Sequence, residues 1–96
     1  MNAYIKDNLI RLTVEFTLSG VDTDPTTVKC FYRNPSGVIT TLTYGVDGSL
    51  IKDTTGKYHV DLFASVAGGW FYRFEGSGSL IAANEGQFYV IPSQIV

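Results

Sequence analysis

From Ile10 to Leu18 the chain alternates without a break: Ile10, Leu12, Val14, Phe16 and Leu18 are apolar, while Arg11, Thr13, Glu15 and Thr17 are polar. Successive side chains leave a pleated strand on opposite sides, so a period of two sustained this long marks a β-strand with one buried face. It also demands a second layer, because a sheet with one apolar face must cover that face. This one segment therefore points to an all-β, two-layer fold.

The rest of the chain repeats the argument in shorter pieces. Leu9–Leu18 ends at Gly20, and Asp22-Thr23-Asp24-Pro25 reads as a turn. Thr27–Arg33 places Val28, Cys30 and Tyr32 on one face. Asn34-Pro35-Ser36-Gly37 has proline where φ near −65° is wanted and glycine to close the turn. Val38–Tyr44 is rich in threonine and β-branched residues, and Gly45-Val46-Asp47-Gly48 turns the chain into Leu50–Asp53. After Thr54-Thr55-Gly56, Lys57–Phe63 points Tyr58, Val60 and Leu62 inward. Trp70–Glu75 points Trp70, Tyr72 and Phe74 one way, and Gly86–Ile91 ends at Pro92. These are seven strands with frequent turns and no competing helical period, the pattern of a sandwich or, less directly, a barrel.

Ninety-six residues supply one core, and 45% apolar residues are enough to fill it. The expected layout is one domain over residues 1–96, with an N-terminal arm at 1–8, the sandwich at 9–91 and a C-terminal tail at 92–96. A net charge of −2 without any basic run argues against nucleic acid as a partner. No run of roughly 18 apolar residues is present to serve as a membrane helix. Cys30 is the only cysteine, so the sandwich has no internal disulfide, and synthesis in a reducing cytoplasm is the expectation.

The stretch from Asp53-Thr54-Thr55-Gly56-Lys57-Tyr58 through Ala67-Gly68-Gly69-Trp70-Phe71-Tyr72 resembles the fifth and sixth strands of filamin-type and bacterial immunoglobulin-like (Ig-like) repeats. More of the chain, about Asp24 to Pro92, is similar to small stand-alone Ig-like structural proteins of tailed bacteriophages. Asn34-Pro35-Ser36-Gly37, Leu42-Thr43-Tyr44-Gly45 and Glu85-Gly86-Gln87-Phe88 carry that resemblance. It implies a seven-stranded Ig-like β-sandwich and a non-enzymatic virion protein. Such a protein is made in the host cytoplasm and docks on phage head, neck or tail proteins in multiple copies within a symmetric assembly. The alternative is a recognition module for carbohydrate or a cell-surface partner. Two features depart from antibody-type domains: the inter-sheet cysteine pair is missing, and the tryptophan is on the sixth strand rather than the third.

No residue set carries catalysis, a metal or a cofactor in this reading. His59 falls on the outward parity between Lys57 and Asp61 and reads as a surface histidine without nucleophile or ligand partners. Asp22 and Asp24 lack the further oxygen ligands of a calcium loop and read as turn formers. Gly76-Ser77-Gly78-Ser79 lacks the lysine and helix of a phosphate loop and reads as a flexible connection. Cys30 reads as an inert core thiol.

One pattern suggests a partner. If the third, sixth and seventh strands lie side by side, their outward residues include Ile39, Thr41 and Thr43; Phe71, Arg73 and Glu75; and Gln87, Tyr89 and Ile91. Ile39, Phe71, Tyr89 and Ile91 would then form one apolar patch with Arg73 beside it, the composition of a docking face. The other sheet would show charges to water: Arg11, Glu15, Lys29, Arg33, Lys57 and Asp61. Leu80 and Ile81, in the Gly76–Glu85 connection, either tuck over the end of the sandwich or join the interface. Tyr4, Ile5, Ile95 and Val96 are handles on the two termini.

Overall fold

The computed structural model describes residues 2–95, and among these it forms ten strands and no helix. They are β1 (Asn2–Ile5), β2 (Leu9–Glu15), β3 (Thr17–Leu18), β4 (Val21–Asp22), β5 (Thr27–Arg33), β6 (Ile39–Thr43), β7 (Leu50–Thr54), β8 (Lys57–Phe63), β9 (Gly68–Ser77) and β10 (Ala82–Ile91). The seven expected segments are all strands, with altered ends; β3 is the far end of the expected Leu9–Leu18 strand, and β1 and β4 are additional. The long first strand breaks at Phe16. Beyond the break, β3 and β4 form a small hairpin about Ser19 and Gly20, both with positive φ (52° and 82°). That is the conformation a two-residue turn needs to follow the strand twist.

Two sheets make the sandwich. One has the order β1-β10-β9-β5-β6, the other β2-β8-β7, and the β3–β4 hairpin stands apart. Ile10, Leu12, Val14, Tyr58, Val60 and Leu62 of the smaller sheet meet Cys30, Trp70, Phe74, Phe88 and Val90 of the larger in one core. The alternation of β2 is visible in its burial, where every second residue is covered. Trp70 lies nearly parallel to Phe88 at 5.8 Å and donates its indole N–H to Val66 O at 2.9 Å, so this amphipathic ring is buried without an orphaned donor. Cys30 is fully buried, and the lack of water around it pushes its thiol pKa up to about 12.

The N-terminal arm is corrected: Asn2–Ile5 is an edge strand, parallel to β10 with Ile5 opposite Ile91. A left-handed Asp7 (φ 77°) then carries the chain into the other sheet, where Asp7 N–H donates to Ala64 O and Ala64 N–H to Asn8 O. Strand partnership is corrected too. β5, expected beside β2 and β8, pairs with β9 on one side and β6 on the other. In immunoglobulin lettering β2, β8 and β7 are B, E and D. β5, β9 and β10 are C, F and G, and β6 is C′, so the lettering is displaced by one strand from the sequence reading.

Candidate functional site

The partnership of β5 decides what the larger sheet shows to solvent. Across its outer face one row runs Ile39–Arg33–Phe71–Gln87, and the next runs Thr41–Phe31–Arg73–Glu85. Ile39 and Phe71 are exposed, at 63% and 42%, but they do not touch across adjacent strands, because Arg33 stands between them. The Arg33 guanidinium lies 4.8 Å from the centre of the Phe71 ring, within cation–π range. The expected contiguous apolar patch is thus a mosaic in which aromatic surface is interleaved with arginine. Tyr89 and Ile91, both partly exposed, extend it along β10 toward Ile5 of β1.

The charges on this face fall into two groups. Arg73 Nε donates to Glu75 and Nη1 to Glu85, each at 2.7 Å, so Arg73 is held between two acids. Among the described residues no carboxylate is paired with Lys29 or Arg33. Phe31, Arg33, Ile39, Phe71, Arg73 and Glu85 line a shallow depression of about 310 Å³. A guanidinium without an acid partner, stacked on Phe71 in a hollow that Phe31 also lines, suits a side chain that brings an apolar body and a negative tip. Phe31 and Arg33 escaped the sequence reading because period-two parity identifies a strand's faces but not the strand beside it.

The other interface candidates separate. Leu80 is 8% exposed and belongs to the core, so it is withdrawn from the interface, whereas Ile81 next to it is 84% exposed. The flexible connection shrinks to residues 78–81, because β9 continues through Ser77 and β10 starts at Ala82. Thr26 Oγ1 accepts from Ser79 N–H and Asp24 O accepts from Ser79 Oγ, tying that tip down. Tyr4 packs edge-on to Phe88, Ile5 and Ile95 are exposed, and Val96 lies outside the described residues. Buried Trp70 offers no platform for a sugar ring.

His59 is also corrected. It is 5% exposed, held on the outer face of the central strand β8 between Thr13 and Ile51. A bulge between Lys52 and Thr54 leaves Asp53 unpaired, and its carboxylate meets His59 Nδ1 at 2.7 and 2.8 Å. Nε2 is 3.8 Å from Asp61, an acid where a hydrolytic triad requires a hydroxyl or thiol. No group of three or more His, Cys, Asp or Glu among the described residues is placed to hold a metal ion.

Asp24 is more than a turn former. Its carboxylate accepts from Lys52 Nζ at 2.6 Å, Gly56 N–H at 2.7 Å and Tyr58 O–H at 3.0 Å, stapling the inter-sheet crossing to the β7–β8 turn. The Lys52 and Gly56 contacts hold the Asp24 carboxyl below its ordinary 3.8. A depressed folded-state pKa adds stability above the ordinary value, and that stability is lost as pH falls through the depressed one. The melting temperature of Asp24→Asn is therefore expected to lie below the parent's at pH 7 and to approach it at a pH below that depressed value. Thermal denaturation followed by circular dichroism at both pH values checks this.

No protein-family model matches the chain, and no curated protein matches its sequence. Among solved structures it is similar to part of a proposed glycoside hydrolase from Bacteroides vulgatus, with a TM-score of 0.63 and 18% identity over 99% of this chain. The chain spans only 17% of that protein's length. It is also similar to the ZIG-8 Ig1 homodimer, with a TM-score of 0.55 and 14% identity, covering 96% of this chain and 78% of the other. At such identities the likeness concerns the fold. The chain is an all-β, Ig-like sandwich without a disulfide. No helix among its described residues is long and apolar enough to cross a membrane.

Proposed function

We propose that this chain is a non-enzymatic docking module that binds a protein surface through the outer face of its five-stranded sheet. The observation that carries this is the Arg33–Phe71 pair, a cation without an acid partner stacked on an exposed aromatic ring beside a 310 Å³ depression. The partner that fits presents an apolar side chain flanked by a carboxylate. Water exclusion by the aromatic rings strengthens the charge contact, and arginine with aromatic residues is the usual make-up of an energetic centre. The setting is a tailed-phage particle, with head, neck or tail proteins as partners, on the strength of the resemblance over Asp24–Pro92. Many equivalent sites there compensate for modest affinity per copy.

Phe71→Glu leaves the core untouched, since the ring projects from the outer face. It is expected to keep the parent's melting profile and to vanish from purified particles when copies are counted by quantitative mass spectrometry. Undiminished incorporation of Phe71→Glu overturns the docking face, and absence of the parent protein from particles overturns the virion setting.

A further inference from the structure

The smaller sheet has an open edge. In an immunoglobulin domain, strand A pairs with B on the side away from E. Here β2 is the end strand of the order β2-β8-β7, and the N-terminal strand β1 has gone to the other sheet. Phe16 N–H donates to Gly56 O and Ala64 N–H to Asn8 O, which fixes the phase of the ladder. Even-numbered residues of β2 bond to β8, so Leu9, Arg11, Thr13 and Glu15 turn their N–H and C=O groups away from it. Among the described residues no strand pairs with them, and a slot of about 150 Å³ lies beside Arg11 and Thr13, lined also by Tyr4, Leu12, Gln87 and Phe88 among others. An unpaired strand edge is a template for another strand, and charges are the usual protection against one.

The charges on this edge invite pairing rather than prevent it. Arg11 and Glu15 are four residues apart on the same outer face, with Thr13 midway and all three exposed. We propose that a second copy of this chain adds to the edge, antiparallel about a two-fold axis at Thr13, giving one continuous six-stranded sheet. Arg11 then lies opposite Glu15 of the second copy, twice by symmetry, and Thr13 lies opposite Thr13. The groups that form these rungs are the ones β8 leaves free. Moving the axis to residue 11 or to residue 15 sets arginine against arginine or acid against acid.

The neighbouring strands extend the match. Arg11 is bidentate to Asp61 on β8, at 2.8 and 3.0 Å, and Lys57 on β8 is 3.8 Å from Glu15. Each charged rung of the joined sheet therefore reads Asp61, Arg11, then Glu15 and Lys57 of the second copy, alternating in sign over four strands. Glu15 also sits near the Asp22 carboxylate, which pushes its carboxyl up, and an arriving guanidinium offsets that repulsion. Opposed opposite charges stabilise a sheet and opposed like charges destabilise it. The contact is a single strand pair, smaller than a standard interface, so association belongs in the range of roughly 10 µM to 1 mM.

Sedimentation equilibrium of the purified chain over that range tests this without any particle, so its result is independent of the docking face. The parent chain is expected to dimerise, with exchange protection at the Arg11, Thr13 and Glu15 amides rising with concentration. R11E and E15R should each weaken the dimer by roughly tenfold or more, since each opposes like charges on both rungs. An equimolar mixture of R11E with E15R should recover it, because one chain then carries acids at both positions and the other bases at both. Thr13→Pro removes a donor that β8 does not use, and should give a folded monomer. A parent chain that stays monomeric overturns the proposal. So does a dimer indifferent to Thr13→Pro, or a mixture that does not recover.

Discussion

Gly56→Val is expected to destabilise the domain by about 4 kcal/mol, the sum of backbone strain at positive φ and overpacking against main chain. For a domain of this size that is a fall in melting temperature of roughly 15–25 °C. Gly56 has φ +77°, and a Cβ there would meet Phe16 O at 2.6 Å and Thr23 N at 2.9 Å. Those atoms belong to hydrogen bonds that hold the molecule together. Thr23 N–H donates to Phe16 O, Phe16 N–H donates to Gly56 O, and Gly56 N–H donates to Asp24. Neither neighbour can swing aside as a flexible side chain would. The comparison variant is Gly37→Ala, where φ is +88° but no atom lies within 4 Å of the added carbon. It should cost about 1 kcal/mol, the conformational part alone. Urea denaturation of both variants checks the contrast, and equal losses would show that the close approach at Gly56 is immaterial.

Phe74→Ala is expected to lose about 3–5 kcal/mol, whereas Phe71→Ala, three residues earlier on the same strand, should lose under about 1 kcal/mol. Phe74 has no exposed surface and Phe71 is 42% exposed. Phe74 is paired with Cys30 across the β5–β9 ladder and meets Tyr72 edge-on at 6.1 Å. Truncating it leaves a void that the two sheets, tied by their own ladders, close only in part. Natural domains have about 5–15 kcal/mol in hand, so Phe74→Ala takes a large share. The expected record is a lower urea midpoint with an unchanged slope, which separates lost stability from an altered unfolded state.

The element boundaries show how far period-two reading carries. β2, β5, β8 and β9 are strands where alternation said so, and Trp70, Phe74, Tyr58, Val60 and Leu62 are buried on the parity assigned to them. Strand β1 was missed because Asn2–Ile5 is too short to display a period and gains its partner β10 from the far end of the chain. His59 shows a second limit. Its parity is outward as read, yet it is buried: a bulge in β7 brings the Asp53 carboxylate to its Nδ1, and Thr13 and Ile51 flank it. Leu80 shows a third, since a loop residue has no period from which burial can be judged.

The proposed docking face divides along the same line. Ile39, Phe71, Arg73, Tyr89 and Ile91 reach the outer face on the parity that the sequence assigns. Phe31 and Arg33, which give that face its free cation and its hollow, were assigned to the opposite sheet. By itself the sequence determined the all-β class, the turns, most of the inward residues of the long strands (Leu18, 52% exposed, is an exception) and the lack of a disulfide. Each follows from side chains a few residues apart obeying local backbone geometry. Only the tertiary structure decided that β5 lies between β6 and β9, that β1 leaves the edge of β2 open, and that Arg33 therefore stacks on Phe71. Strand partnership is settled by hydrogen bonds and packing between segments dozens of residues apart, and no local period encodes which neighbour a strand will take.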